Sequence, residues 1–309
     1  MKNKIFKTIS EQIDILKNRG LLIKDEAETK EILLMENYFF VNGYRHMFIS
    51  SGRTNKFLPG TTFDELYATF VFDRKLRNIF FQNILIIENN IKSIISYQLS
   101  KKYGFREKDY LNPNNYTQDK LADRQVRDVL NKVKRQIRIN APKHSATMHY
   151  SLNYGYIPMW VVVKVLSFGI MSEFYGILKQ DDQKSVADIY GINPQVLEIY
   201  LSLLSNFRNV CAHEDILYDH RTQKLIPDTK YHELLNIEKV SDAYIYGKND
   251  LFSLVIMMKY LLRENDFKVM INQIKYEVDL LDKKIDVIPL KNILNRIGFP
   301  DNWFDIKNI

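Results

Sequence analysis

The stretch PQVLEIYLSLLSNFRNVCAH, residues 194–213, combines the pattern of a buried helix with a polar C-terminal end. When successive residues are turned by about 100°, the apolar side chains fall on one face. That face comprises Val196, Leu197, Tyr200, Leu203, Leu204, Phe207, Val210 and Cys211. The opposite side carries Ser205, Asn209 and Ala212. Arg208 and His213 flank that narrow strip, so the stretch predicts a core helix with one polar edge at its end.

The polar edge has the side chains that RNA cleavage requires. Arginine grips a phosphate with paired donors, and histidine exchanges a proton near neutral pH. RNA supplies its own 2′-hydroxyl nucleophile, so a base, an acid and a positive group over the phosphorane suffice. An identical helix from a second subunit would bring two copies of Arg208 and His213 together in a two-fold dimer, without a metal. The alternative is a surface arginine and a helix-terminal histidine favoured by the helix dipole.

The composition is that of a globular protein with a basic surplus. The 309 residues, 46% of them apolar, can form the core of one large domain or two modest ones. The 44 Lys and Arg against 37 Asp and Glu give a formal charge of +7, which favours acidic partners such as nucleic acid without requiring them. The single cysteine, Cys211, cannot form an intrachain disulfide, and its position on the apolar face indicates a small buried hydrophobe.

The sequence predicts neither a secretory signal nor a membrane span. The start, MKNKIFKTISEQ, lacks the apolar run of a signal peptide. The apolar segment 78–97 is interrupted by Glu88, Asn89, Asn90 and Lys92, which the core of a bilayer would penalise. The six histidines show no paired ligand spacing, so we expect a cytoplasmic protein without a metal or another cofactor.

Helical periodicity and few breakers predict a mostly α fold, with 11 Gly and 8 Pro in the whole chain. The predicted helices are 8–17, 26–40, 62–73, 75–103, 119–140, 158–178, 183–190, 194–213, 250–262 and 266–281. An irregular connection is predicted over 42–62 and a loop or short hairpin over 221–230. We expect an N-terminal helical extension over 1–60, a core carrying the Arg/His motif over 61–220 and a C-terminal helical elaboration over 221–309.

The helix predicted over 119–140 has a basic face beside its apolar stripe. The basic residues are Arg124, Arg127, Lys134, Arg135 and Arg138. Such a face can follow the phosphates of RNA, which makes these residues candidates for RNA binding. A solvated surface next to a core stripe is the alternative.

A helix-turn-helix pattern lies just upstream of the polar edge. Ala187, Gly191 and Leu197 have the small residue, turn glycine and buried aliphatic of that motif, in which the second helix enters the major groove of DNA. The first turns of the second helix offer Gln195 and Glu198 but little positive charge. A plain packing unit therefore fits better than a DNA-binding regulator.

The motif RNVCAH resembles the R-x4-6-H signature of HEPN ribonucleases, and in particular the RN-x-x-AH form of abortive-infection proteins of the AbiD/AbiF type. Further segments resemble that family in the same order. They are EQIDILKNRGLLI (11–23), NYFFVNGYRHMF (37–48), TFDELYATFVFDRKLRNIF (62–80), the region of Glu88, YGYIPMWVVVKVLSFGIMSEFY (154–175) and GFPDNW (298–303). Where family members often carry a second histidine after the motif, this chain has Glu214.

The resemblance implies an all-α, HEPN-like helical bundle with N- and C-terminal elaborations, commonly dimeric. It also implies phage defence by metal-independent RNA cleavage that leaves a 2′,3′-cyclic phosphate. Arg208 would bind the scissile phosphate, His213 would transfer protons, and Asn209 would orient one of them or the RNA. A restraining RNA or antitoxin is a further expected partner.

Three other residues match the family pattern. Asp73 and Arg77 match a recurrent pair for which we expect a structural ion pair, and Glu88 matches a polar position near the site. The alternative to an enzyme is a non-catalytic RNA-binding or interaction protein with the same fold.

Overall fold

The chain folds almost entirely into helices, and the computed structural model describes residues 5–50 and 55–309. The α-helices in that part of the chain are α1 (Ile9–Asn18), α2 (Glu26–Glu36), α3 (Phe39–Tyr44), α4 (Phe63–Tyr103), α5 (Glu107–Tyr110), α6 (Asp123–Asn140), α7 (Ser145–Tyr154), α8 (Met159–Val162), α9 (Phe168–Gly176), α10 (Gln180–Ala187), α11 (Pro194–Ala212), α12 (Lys230–Leu234), α13 (Leu251–Leu261), α14 (Glu264–Asp282) and α15 (Leu290–Ile297). Short 3₁₀ helices span Arg45–Met47, Pro113–Asn115, Asp188–Tyr190 and Trp303–Lys307. Two strands of two residues each, β1 (Lys239–Val240) and β2 (Ala243–Tyr244), pair in an antiparallel hairpin. The predicted all-α class is confirmed.

The helix α4 is the axis of the fold. Its first turn has the capping box predicted from the sequence, in which the Thr62 hydroxyl accepts from the Glu65 amide and the Glu65 carboxylate accepts from the Thr62 amide. It continues for 41 residues to Gly104. The predicted division between 73 and 75 is wrong, because no Gly or Pro interrupts this stretch and Asp73 pairs with Arg77 across it.

The core forms where α4 meets the other long helices. Fully buried side chains recur along α4 at helical spacing: Leu76, Phe80, Ile84, Ile87, Ile91 and Ile95. The helix α11 packs against α4, α9, α10 and α13, and α14 packs along α4. The α3 helix packs on the first part of α4. Therefore α4 and α11, which carry Glu88 and Arg208, both pack in the core of the fold.

Other predicted boundaries also need correction. The stretch 26–40 divides at Asn37, whose φ of 65° ends α2 before α3 begins, so the predicted connection 42–62 starts inside a helix. The stretch 158–178 divides into α8 and α9, because the Ser167 hydroxyl accepts from the Ile170 amide and starts a new helix. The helices α5, α7, α12 and α15 were not predicted. Residues 1–4, at the start of the chain, and 51–54, within the predicted connection, lie outside the described residues.

A buried ion pair joins three parts of the chain. One oxygen of Asp73 accepts from Arg77, from the Tyr44 hydroxyl at 2.5 Å and from the Leu217 amide at 3.1 Å. Burial raises the pKa of Asp73, and Arg77 acts in the opposite direction. The expected structural ion pair is present, and it fixes the loop that follows α11 to α3 and α4.

Removal of this carboxylate should destabilise the fold strongly. In Asp73→Asn, Arg77 stays buried without a counter-ion, and we expect the free energy of unfolding to fall by about 3–5 kcal/mol. The matched control is Asp279→Asn, which breaks an exposed pair with Lys275 at the same i, i+4 spacing and should cost less than about 1 kcal/mol. Urea denaturation measures both. Equal losses would contradict the role of the buried pair.

Candidate functional site

The motif lies where α11 ends, and the backbone there forms a Schellman motif. The Asp215 amide donates to the Val210 carbonyl at 3.1 Å and the Glu214 amide to the Cys211 carbonyl at 3.4 Å. Glu214 has a φ of 56°, in the left-handed region. His213 is the C-cap residue. The helix therefore stops at the histidine and leaves its side chain exposed.

Arg208 lies against α4 through two side chains. Its guanidinium carbon is 5.5 Å from the centroid of the Phe81 ring, and its Nε is 3.9 Å from Oε2 of Glu88. Both atoms of the latter contact are buried, and neither has a hydrogen-bond partner in the structure. The Arg208 side chain is 34% exposed, so α4 holds the guanidinium in place without covering it.

Glu88 is shared between two cations. Its other carboxylate oxygen accepts from Lys92 Nζ at 2.6 Å, so Glu88, Lys92 and Arg208 form one cluster with one carboxylate and two positive charges. The surplus positive charge suits a phosphate better than a second cation. Helical spacing places Phe81, Glu88 and Lys92 on one face of α4. The resemblance implies a polar residue near the site at Glu88, and Glu88 does lie beside Arg208, whereas the parts of Phe81 and Lys92 were not predicted.

Asn209 and His213 are exposed, and their side chains make no hydrogen bond to another described residue. Ala212 is exposed beside them. Ser205 differs from the prediction, because α9 approaches it so closely that a Cβ added to Gly169 would lie 3.3 Å from its hydroxyl. The free strip of α11 therefore comprises Asn209, Ala212 and His213 and excludes Ser205.

A second histidine is held near α11 for structural reasons. His220 Nε2 lies 2.7 Å from Asn206 Oδ1, and the His220 ring packs edge-on against Phe207 with centroids 5.3 Å apart. Burial lowers the pKa of His220, which favours the neutral ring. This contact was not predicted from the sequence. Asn206 and His220 bind each other and leave His213 as the exposed histidine of the α11 end.

The basic residues predicted to bind RNA lie on a different layer. Arg124, Arg127, Lys134, Arg135 and Arg138 are all exposed on α6. The helix α6 packs on α9, and α9 packs on α11. Among the described residues, Arg124 alone of the five has an ion-pair partner, Asp128 at 3.8 Å. These cations are therefore exposed to solvent. They do not belong to the cluster of Glu88, Lys92 and Arg208.

In residues 5–50 and 55–309, no group of three or more His, Cys, Asp or Glu side chains is placed to hold a metal ion. No helix of these segments is long and apolar enough to cross a membrane. The second helix of the helix-turn-helix pattern is α11, which packs against four other helices, and its exposed residues Gln195 and Glu198 offer no positive charge to DNA phosphates.

Fold and site together define a class: an all-α protein with an arginine and a histidine at the exposed end of a core helix. A family model described as "Abi-like protein" matches residues 31–219, from α2 through the loop that Asp73 holds. The chain belongs to this abortive-infection family, as its sequence pattern predicts. No match was found among the curated proteins or the solved structures.

The strained end of α11 gives a prediction for Glu214. A residue with a Cβ loses about 1–2 kcal/mol in the left-handed conformation, whereas glycine adopts it freely. Glu214→Gly should therefore raise the free energy of unfolding by about 1 kcal/mol. Glu214→Ala removes the same carboxylate but keeps the Cβ, and it should bring no such gain. Urea denaturation distinguishes the two, and an equal gain in both variants would assign the effect to charge instead of backbone strain.

Proposed function

We propose that this protein acts in phage defence as a metal-independent endoribonuclease of the HEPN type. The observation that carries the proposal is the exposed end of α11, where Arg208 is held by α4 and His213 is left free at the C-cap. Membership of the Abi-like family supports the defence role. Cleavage of cellular RNA would stop growth of the infected cell, and a restraining RNA or antitoxin would be needed before infection.

The proposed reaction uses the 2′-hydroxyl of RNA as the nucleophile. One His213 takes the proton of that hydroxyl, O2′ forms a bond to phosphorus, and the P–O5′ bond breaks. Arg208 stabilises the negative charge of the phosphorane, and a protonated His213 gives its proton to the leaving O5′. Asn209, exposed on the same strip, orients the RNA. The products are a 2′,3′-cyclic phosphate and a 5′-hydroxyl, so no water is consumed in this step.

A two-fold dimer would complete the site. Within one subunit Arg208 turns toward α4, while His213 lies at the C-cap of α11, so one chain offers one acid–base group. The strip of Asn209, Ala212 and His213 has only small or polar side chains, and Leu85 on the adjoining face of α4 is 40% exposed. Packing two copies of this surface together would place both histidines in one cleft.

The exposed cations of α6 would add affinity for RNA that is independent of base sequence. Arg127, Lys134, Arg135 and Arg138 have no ion-pair partner among the described residues, so they are available to phosphates. A protein that bound RNA through α6 without cutting it is the second candidate. It requires α6 but not His213, and this difference separates the two functions.

RNA cleavage should depend on the two motif residues. Purified protein incubated with RNA in EDTA should produce 2′,3′-cyclic phosphate ends. His213→Ala should slow cleavage by about 10²–10⁴-fold because it removes the proton-transfer group. Arg208→Ala should slow it by about 10²–10³-fold because it removes charge stabilisation.

The matched control is His46→Ala, an exposed histidine of the 3₁₀ helix that follows α3, which should cut at the wild-type rate. Equal cutting by wild type and His213→Ala would overturn the catalytic assignment. RNA binding without any cutting by wild type would favour the non-catalytic candidate.

Mixed dimers test whether two histidines share one site. Wild-type and His213→Ala chains are co-expressed with different tags in equal amounts, and total activity is compared with that of wild type alone. If both histidines act in one cleft, only pairs of wild-type chains are active, and about a quarter of the activity should remain. Independent sites would leave about half of it. Light scattering measures the oligomeric state, and a monomer with full activity would contradict the composite site.

A further inference from the structure

Five aromatic side chains form a continuous surface ladder away from the motif. The aromatic ladder runs through Tyr150, Tyr154, Tyr156, Phe105 and Trp160. Successive ring centroids are 5.3, 6.3, 5.8 and 5.2 Å apart. These separations are those of rings in contact. Three parts of the chain contribute to the ladder: α7 with the turn after it, the segment just after Gly104 at the end of α4, and α8.

The ladder is exposed although aromatic rings are usually buried. Tyr154 is 57% and Trp160 44% exposed, and the other three rings are half-buried. The helix α7 buries only Thr147, so its packing into the core does not account for its rings. A contiguous exposed apolar surface of this kind marks a binding site more often than an isolated surface residue does.

The charge around the ladder is positive. The guanidinium of Arg106 lies 4.8 Å from the Tyr156 centroid and 5.9 Å from that of Phe105. Residues 139–172, which include α7 and α8, contain Lys143 and Lys164 and no Asp or Glu, in a chain with 37 acidic residues. The neighbouring Glu107 is engaged, since it accepts from the Ile157 amide at 2.6 Å. The surface therefore favours a polyanion that also has flat faces.

The aromatic ladder and the Arg208 site both adjoin α4, because Phe105 lies just after its C-terminal end and Arg208 contacts Phe81 and Glu88. Trp160 precedes Lys164, and Lys164 Nζ contacts Asn89 Oδ1 at 3.1 Å. Asn89 is the neighbour of Glu88, which lies beside Arg208. From Glu88 to Phe105 the chain advances 17 residues, about 25 Å at 1.5 Å per residue. A strand that contacted both Arg208 and the rings would have to span about this distance.

We infer that the aromatic ladder is a stacking platform for the bases of single-stranded RNA. Bases stack on the exposed ring faces, and Arg106 and Lys164 contact phosphates. Stacking accepts every base, so the platform confers affinity for single strands without a sequence requirement. In a duplex the base faces are already stacked and cannot reach the rings. The inference rests on the proposed function in taking RNA as the ligand, but it concerns binding and not cleavage.

The test measures binding in a His213→Ala background, where RNA stays intact. A fluorescein-labelled single-stranded RNA of mixed sequence is titrated with protein and followed by fluorescence anisotropy. Tyr154→Ala and Trp160→Ala should each raise Kd by about 5- to 150-fold because a stacked base is lost. Tyr154→Phe keeps the ring and should stay within about twofold of the parent. The matched control is Tyr276→Ala, which removes a ring that is 62% exposed on α14 and should leave Kd unchanged.

Each outcome has one meaning. Unchanged Kd in Tyr154→Ala and Trp160→Ala, or equally tight binding of the same RNA annealed to its complement, would overturn the platform. A change of oligomeric state in these variants, with Kd unaltered, would show a protein interface instead and would also overturn it. If the ladder variants lose binding but wild-type protein never cuts RNA, the platform stands and the proposed endoribonuclease fails.

Discussion

The buried carboxylate of Asp73 is the constraint on which the arrangement of the motif depends. One oxygen receives Arg77 of the same helix, the Tyr44 hydroxyl of α3 and the Leu217 amide of the loop after α11. A charge this deep is costly, and only the close cation and the added donors make it tolerable. The same donors come from segments far apart in sequence, so satisfying one carboxylate positions the N-terminal helices and the loop after α11 against α4.

This junction also determines how α11 can end. The loop is tied to Asp73 at Leu217, while the helix must stop at His213, so only a few residues are available for the change of direction. The Schellman motif makes the change in that space at the expense of a left-handed Glu214. As a result, His213 is placed at a sharp corner of the protein. Backbone geometry, more than side-chain contacts, determines the exposure of the proposed acid–base group.

The sequence predicted those features that depend on local order. Helical arithmetic separated Phe207 and Cys211, both buried, from the exposed Asn209, and the Thr62 capping box located the start of α4. Features that depend on contacts between helices were not predictable. The residues near Arg208 in sequence do not indicate that Phe81 and Lys92 lie beside it. The pairing of Asn206 with His220 also could not be predicted, because it requires the loop after α11 to fold back.

The helix boundaries that were predicted wrongly also depend on contacts between helices. The continuity of α4 across 73–75 is reinforced by an ion pair whose burial depends on α3 and on the loop after α11. Likewise, Ser205 was predicted to lie on a free strip of α11. Its face of the helix is as predicted, but Gly169 of α9 approaches it closely. Periodicity identifies the face of a helix on which a residue lies, but only the packed structure shows which neighbour meets that face.

The distribution of charge favours a proposed function in which RNA cleavage and most of the RNA binding depend on different surfaces. Beside Arg208, Glu88 holds two cations and leaves only a modest positive surplus, which favours positioning of one phosphate over tight binding of a long strand. In the proposed function, affinity for RNA would come from elsewhere, namely from the exposed cations of α6 and from the aromatic ladder. Binding energy obtained away from the reacting phosphate can hold an RNA in place while the chemistry depends on a few side chains. Such a separation would also allow a restraining RNA to occupy the binding surface without being cut.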